Sequence, residues 1–310
     1  MTYVGIDVSK DHLDVCIRPT NKRFRVENSK TGVTSLIRQI GTEKSTRVVV
    51  ESTGGYERTL AQECWDKKIW VAIVNPKRIR DFGRANGRMA KTDRIDAELI
   101  ALAAEKLEFR ETAAPSEQQK SLTAMVRRRL QCTNMITQER NRSQICSDEA
   151  IRKTHLELIA FLLAAIKVLD KQIEKSIDSH PQRTGARKIQ EIPGVGNVVA
   201  ATLLTEVPEL GTLARKPIAS LVGLAPMSRD SGSSVRGNRS ITGGRACVRR
   251  VLYMATLHAI RRFEPIQSMY ARLRKAGKPG KVAIVACMRK LLTMLNGIMR
   301  DTMAIPTAPS

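Results

Sequence analysis

The sequence predicts an α/β sheet domain followed by a mainly helical second half. Three observations carry that expectation. β-Branched runs with strand character fill the first 75 residues at hairpin and then helix spacing, and no proline or glycine interrupts a helical pattern from Glu117 to Ile177. Beyond residue 184, a glycine-bearing interhelical turn and a closing apolar helix indicate helical structure again. The expected division is 1–112 for the sheet domain, 113–183 for a helical or coiled-coil segment, and 184–310 for the last domain.

Residues 2–8, 13–18, 23–27, 46–51 and 69–74 read as short strands, with helices over 32–41 and 56–68 between the later ones. Three early strands in hairpin spacing followed by αβαβ is the order of a ribonuclease-H-like mixed sheet. That order puts Asp7 mid-sheet on the first strand and Glu51 at the end of the fourth. A helix capped near Thr92 crosses the same face and supplies Asp93 and Asp96, which stand three apart on one side of it.

In the middle segment Ile159, Leu163, Ile166, Ile173 and Ile177 follow heptad spacing, broken where Asp170 falls on the seam. Such a run makes a helical hairpin or coiled coil, or an amphipathic helix packed on its own domain. Arg127, Arg128, Arg129, Arg140 and Arg142 line its first half, as a solvated face or a nucleic-acid contact. A polar linker, Ser179 to Gly185, leads to Ile192-Pro193-Gly194-Val195-Gly196, the pattern of a helix-hairpin-helix turn. Gly194 and Gly196 let the backbone approach a phosphate closely, and the following helix N-terminus offers amides to it. A tight turn without a ligand has the same sequence.

Next comes Ser231-Gly232-Ser233-Ser234-Val235-Arg236-Gly237-Asn238-Arg239, leading toward Arg249 and Arg250 on a helix. Glycines beside a serine expose its hydroxyl, and arginines hold a phosphate and stabilise charge developing on it. By chemistry alone Ser231, Ser233 and Ser234 are equal candidates for a nucleophile, and a phosphate-contact loop reads the same way. A basic Gly-Pro turn, Lys275 to Lys281, precedes the last apolar helix, which ends near Met299.

Charge narrows the function. Fifty-three Lys and Arg against 30 Asp and Glu give a net charge of +23, the footprint of a polyanion binder. Residues 226–300 hold 16 basic and 2 acidic residues, so the phosphate backbone is expected there. Aromatic residues are 4% of the chain, too few for a platform that stacks unpaired bases, and recognition should lean on backbone charge and duplex shape. The six cysteines form no CxxC pair and the four histidines are dispersed, which argues against structural zinc and for free thiols in a reducing cytosol. With a first strand entered by Tyr3 and a longest apolar run of only Leu158 to Ile166, the expectation is a soluble cytoplasmic protein without a membrane span.

Asp7, Glu51, Asp93 and Asp96 form an all-oxygen ligand set suited to a hard cation, Mg²⁺ or Mn²⁺. Two such ions roughly 4 Å apart clamp the attacking and leaving oxygens of a phosphodiester. These features predict an enzyme that cuts nucleic acid.

Over roughly residues 3–300 the chain resembles the DEDD transposases of insertion sequences, the group that includes the Piv-type DNA invertases and the bridge-RNA-guided recombinases. The matching pieces are Gly5-Ile6-Asp7, Glu51-Ser52-Thr53-Gly54, Asn75-Pro76, Lys91-Thr92-Asp93 with Asp96-Ala97, Ile192-Pro193-Gly194-Val195-Gly196, Gly223-Leu224-Ala225-Pro226 and Ser231-Gly232-Ser233-Ser234. The resemblance implies a RuvC-like domain with its metal site on Asp7, Glu51, Asp93 and Asp96, and a transposase domain whose nucleophilic serine falls on Ser231. It further implies a composite site across protomers of a dimer or tetramer. The implied partners are double-stranded DNA at the element ends and target, and a guide, or bridge, RNA. Gly194, Gly196, Arg236, Arg239, Arg249 and Arg250 are the expected nucleic-acid contacts.

A recombinase must keep the phosphodiester energy in a covalent protein–DNA ester, which a serine supplies. The sequence offers no convincing histidine partner, since His12, His155, His180 and His258 sit in unremarkable surroundings, so the carboxylate-bound metal is the better activator. A RuvC-like junction nuclease that hydrolyses without a covalent intermediate is the main rival. An actin-like sugar kinase or ATPase shares Gly-Ile-Asp at a first strand, but leaves Asp93, Asp96 and the charge unexplained and lacks a second Asp-x-Gly loop. A non-catalytic DNA-binding scaffold would need four carboxylates in sheet and helix register as structural groups.

Overall fold

The computed structural model describes residues 1–87, 93–226 and 241–304, with the backbone alone over 93–95. The chain divides into two compact units, Met1–Pro115 and Ser116 onward. The middle helical segment and the last region therefore belong to one unit.

In the first unit β1 (Thr2–Val8), β2 (His12–Arg18) and β3 (Lys22–Glu27) are followed by α1 (Lys30–Ile40), β4 (Thr46–Glu51), α2 (Arg58–Asp66), β5 (Trp70–Val74), α3 (Pro76–Ala85) and α4 (Asp93–Lys106). The sheet order is β3-β2-β1-β4-β5. The first three strands form an antiparallel meander, and β4 and β5 run parallel to β1. This is the mixed sheet expected of a ribonuclease-H-like fold. Side chains alternate across it, so Val4, Ile6, Val48 and Val50 meet Leu36 and Leu60 on one face, while Val49, Ala72 and Val74 meet Ile79, Ile100 and Ala103 on the other. Burial on both faces explains why β4 reads as an unbroken Val48-Val49-Val50 run.

Helix boundaries follow side-chain caps. The Ser29 hydroxyl accepts from the Gly32 amide, which starts α1 at Lys30, two residues before the spacing predicts. Helix α3 has no counterpart among the expected elements. The Asn75 side chain caps it by accepting from the Lys77 amide, and Pro76 fills its first turn, so the Asn-Pro pair is a helix start directly after β5.

The second unit opens with α5 (Glu117–Ile145) and α6 (Glu149–Asp178), a long antiparallel hairpin. The helical run turns at 146–148, without glycine or proline, into the hairpin that its heptad spacing allows. Asp148 accepts from the Ile151 amide and begins the second helix. Leu122 and Val126 share a core with Ile173 and Ile177, and Cys132 and Ile136 pack with Ile159 and Leu162. Leu162 is 2% exposed whereas Leu163, expected on the seam, is 41% exposed, because the residue three after Ile159 turns to the partner helix. Asp170 does lie toward the seam, where Arg129 holds it through Nε at 2.5 Å and a second guanidinium nitrogen at 3.2 Å.

Helices α7 (Arg183–Gln190), α8 (Asn197–Glu206), α9 (Arg215–Val222), α10 (Ala246–Arg262), α11 (Glu264–Lys275) and α12 (Gly280–Ala304) complete this unit around one core. The linker is shorter than predicted: Gly185 is not in it but buried within α7, facing Met299 and Thr302 of α12. Helix α12 is long and apolar enough to cross a bilayer by length and composition alone. Its Cys287, Leu291, Leu292, Leu295 and Met299 are buried in the core of this unit. All six cysteines are free; Cys16, Cys64, Cys132 and Cys287 are buried, and burial pushes the Cys64 thiol up to about 12.

His180 staples the end of α6 to the start of α5. Its Nδ1 accepts from the Gln182 amide at 3.1 Å and its Nε2 lies 2.9 Å from Gln119 Oε1, an arrangement that fits only the neutral ring. Burial lowers its pKa. A depressed folded pKa means that the unfolded chain binds the proton more readily, so the stability this group confers is present above the unfolded pKa and is lost as pH falls below it. Denaturant midpoints should therefore drop between about pH 7.5 and about pH 5.5, with a smaller drop in His180→Gln. Equal drops in the two proteins would assign the pH dependence to another group.

Candidate active site

Asp7 is the sixth residue of β1 and Glu51 the last of β4. In the parallel register Ile6 faces Val50, so Asp7 and Glu51 occupy the next level of adjacent central strands. Alternation places both on the face opposite Ile6 and Val50, the face that α4 covers. Both are partly exposed, as is Asp96.

Gly5 is the reason α4 can lie there. Any side chain at position 5 would come within 3.0 Å of the Ala97 carbonyl and the Ala101 amide, so the helix backbone rests directly on the strand. Ala97, Ala101 and Cys16 close the contact as a small buried cluster. Arg18, paired in register with Tyr3, bonds Glu105, and Arg23, paired with Cys16, bonds Glu98 at 2.5 Å. These ties order α4 antiparallel to β1, with its C-terminal end over the start of the strand and its N-terminal end toward Asp7. Asp96 stands one residue before the Ala97 contact. Asp93 begins the helix, one turn nearer that end, and its side chain lies outside the described residues.

Among the described residues, no three His, Cys, Asp or Glu side chains come together closely enough to hold a metal ion. The residue types themselves suit a hard divalent cation: Asp7 and Glu51 are carboxylates at one level of one sheet face, and Asp96 is a carboxylate on the helix that covers that face. Sequence reading missed a further carboxylate on that face. Asp14 pairs with Asp7 across β1 and β2, and Arg25 on β3 holds it bidentately at 2.9 and 2.8 Å, so its charge is already compensated.

Two more residues shape the rim. Buried Glu57 accepts from the Thr53 amide at 3.2 Å, the Thr53 hydroxyl at 3.3 Å and the Gly55 amide at 2.9 Å, folding the segment after Glu51 into a closed turn. Gly54 and Gly55 supply the positive φ values, 77 and 120°, that the turn needs. The Asn28 side-chain nitrogen donates to the carbonyls of Ser9 and Tyr56, at 2.9 and 3.1 Å, and ties the loop after β1 to the loop after β4. The local signals were a Glu six residues after Glu51 and an Asn at a strand end. Neither pattern names its partner.

In the second unit the helix-hairpin-helix turn joins α7 to α8. Gly194, at φ 96°, presses on α10, where a side chain would strike the Ala255 carbonyl, so its glycine serves packing. Gly196 opens on free space and precedes α8 without a side-chain cap. Arg249 is half-buried, and its guanidinium donates to the Val222 carbonyl at 2.9 Å and to the Gly243 carbonyl. Arg250 is exposed and donates to Asn134 on α5 at 3.1 Å. Ser231, Ser233, Ser234, Arg236 and Arg239 lie outside the described residues.

Two family models match the chain. Residues 4–149 match the transposase model of the IS110 DEDD type, and residues 186–272 match the transposase model of the IS116/IS110/IS902 family. The pilin gene-inverting protein of Moraxella lacunata is 29% identical over 97% of this chain and 96% of its own length. The transposase for insertion sequence element IS1328 of Yersinia enterocolitica is 23% identical over 78% of this chain and 80% of its own. An uncharacterized 43.6 kDa protein of insertion element IS110 from Streptomyces coelicolor is 28% identical over 44% of this chain and 33% of its own.

Proposed function

Since the chain belongs to the IS116/IS110/IS902 family of transposases, and is thus a DNA transposase or recombinase, we propose that it cuts and rejoins strands through a covalent serine intermediate on Ser231. The observation that carries the metal half of this reading is the shared level of Asp7 and Glu51 on one face under α4. Those residues, with Asp96 and Asp93, would hold the divalent cation that the DEDD family implies. The ion, Mg²⁺ or Mn²⁺, supplies charge neutralisation at the scissile phosphate when bound.

The serine step conserves the bond that matters. The Ser231 hydroxyl oxygen forms a bond to phosphorus while the bond from phosphorus to the departing deoxyribose oxygen breaks. The seryl proton is given up and the departing oxygen takes one. Attack by a deoxyribose hydroxyl on the protein ester reverses the exchange, so strands rejoin without an external energy source. A nuclease reading lacks this economy and leaves no protein on the DNA.

The proposed partners are duplex DNA at the element ends and target and an element-encoded bridge RNA, bound by a homo-oligomer. The test is a reaction on labelled DNA carrying the element ends, supplied with the RNA sequenced from the purified protein and resolved on a denaturing gel. The reading expects a shifted protein–DNA band whose label maps to Ser231 and a discrete noncoding RNA in the preparation. Cut DNA with no shifted band favours the nuclease.

Phosphate contacts should come from the exposed basic residues at the end of α10 and around the α11–α12 turn, Arg261, Arg262, Arg272, Lys275, Lys278 and Lys281. Affinity for duplex DNA of arbitrary sequence should fall linearly in log-log against salt, by about 0.9 per phosphate neutralised. Lys275→Glu with Lys278→Glu should flatten that slope. An unchanged slope would move the backbone contact to another face.

A further inference from the structure

The family segment Gly223-Leu224-Ala225-Pro226 and the return segment Ile241–Gly244 meet as a clasp. Gly223 ends α9 in the left-handed conformation at φ 79° and ψ 34°, with its amide donating to the Ser220 carbonyl and the Leu224 amide to the Ala219 carbonyl at 2.7 Å. A side chain at Gly223 would collide with the Gly243 carbonyl, and one at Gly244, where φ is 64°, would collide with the Gly223 amide. Two strands of backbone therefore touch where only glycines fit. Arg249 seals the contact by donating from one guanidinium nitrogen to carbonyls on both sides of it, Val222 and Gly243. Leu224 is 1% exposed and Ile241 packs on the same core, so each side of the clasp is anchored independently. Arg245, at the start of α10, holds Glu209 bidentately at 2.6 and 2.7 Å and fixes the returning chain a second time.

The chain leaves this clasp at Leu224 and comes back to it at Ile241, and the stretch between contains Ser231. We infer that Arg249 is a positioning residue for the nucleophile: it pins both ends of the serine-bearing segment to one point of the α9–α10 core and makes no phosphate contact of its own. The inference rests on the reading of Ser231 given above. It also gives Gly223 and Leu224 of the family pattern a physical task, a left-handed helix stop followed by a buried anchor.

The test compares Arg249→Lys and Arg249→Met in the full chain, with Gly244→Ala as an independent break of the same clasp. Lysine keeps the charge, but its ammonium nitrogen ends one bond shorter than the guanidinium nitrogen that donates to both carbonyls. In both Arg249 variants, single-turnover cleavage at saturating labelled element DNA with its RNA should fall roughly 10- to 100-fold, the penalty expected for a reacting group displaced by about 1 Å. Hydrogen exchange should speed up at the amides of 223–225 and 243–245 and stay unchanged in α12, which reports that the core is folded. Affinity and salt slope on arbitrary duplex DNA should match the parent. Gly244→Ala should reproduce the exchange and cleavage changes.

A salt slope reduced in Arg249→Met but kept in Arg249→Lys would identify a phosphate contact and overturn the proposal. Parental cleavage despite faster exchange would also overturn it, because the clasp would then be structural only. Failure of the underlying serine reading shows separately, as normal cleavage by Ser231→Ala.

Discussion

Ser231→Ala is expected to assemble with DNA and RNA as the parent does and to yield neither cut strand nor covalent adduct. A water molecule would have to take the place of a hydroxyl carried by the chain itself, and positioned groups of this kind are worth effective molarities of about 10⁵ M or more. Loss of activity should therefore reach the detection limit. Ser233→Ala and Ser234→Ala should retain adduct formation, because the proposed nucleophile is the first serine of Ser231-Gly232-Ser233-Ser234. Label mapping to Ser233 or Ser234 would move the nucleophile along the segment. Parental cutting by Ser231→Ala without a shifted band would replace the recombinase with a hydrolase.

Asp7→Asn and Glu51→Gln should each reduce cleavage by about a thousandfold or more. A bound cation contributes several kcal/mol to phosphoryl chemistry, and each ~1.4 kcal/mol is a factor of ten in rate. The change at either position is nearly isosteric, so the sheet register Ile6 to Val50 and the Gly5 contact with α4 should persist. Affinity and salt slope on duplex DNA should be unaffected. A readout that needs no turnover is the melting temperature, which should rise on adding Mn²⁺ to the parent and not to either variant. Chelation should abolish parental cleavage and leave DNA binding in place. Asp14→Asn offers a contrast: Arg25 already holds that carboxylate, so the cation-dependent shift should remain. Parental cleavage in Asp7→Asn would remove β1 from the site.

The strands were legible because β-branched alternation is a local property: Val4, Ile6, Val48 and Val50 declare a buried face wherever the chain goes. Asp7 and Glu51 were legible as candidates for the same reason, a carboxylate directly after an apolar run, Val4-Gly5-Ile6 in one strand and Val48-Val49-Val50 in the other. The α6 start at Asp148 was equally local, a capping Asp ahead of Ile151, and was overlooked for lack of a proline or glycine. Leu162 and Leu163 show where pattern gives out, since both are apolar and only the direction of the facing helix decides which one is buried.

What the sequence by itself determined was the inventory: a mixed sheet, a helical remainder, four carboxylates, a serine-bearing glycine-rich segment and a basic C-terminal third. What tertiary structure decided was who meets whom. Gly5 admits α4 because Ala97 and Ala101 arrive over it from more than ninety residues away, Glu57 folds back on the turn after Glu51, and Arg249 reaches carbonyls on both sides of a backbone contact. A residue's conformational preference is set by its own chain neighbours, whereas the partner of a charge or the absence of a side chain is set by packing density between elements distant in sequence. Only the folded chain brings those elements into contact.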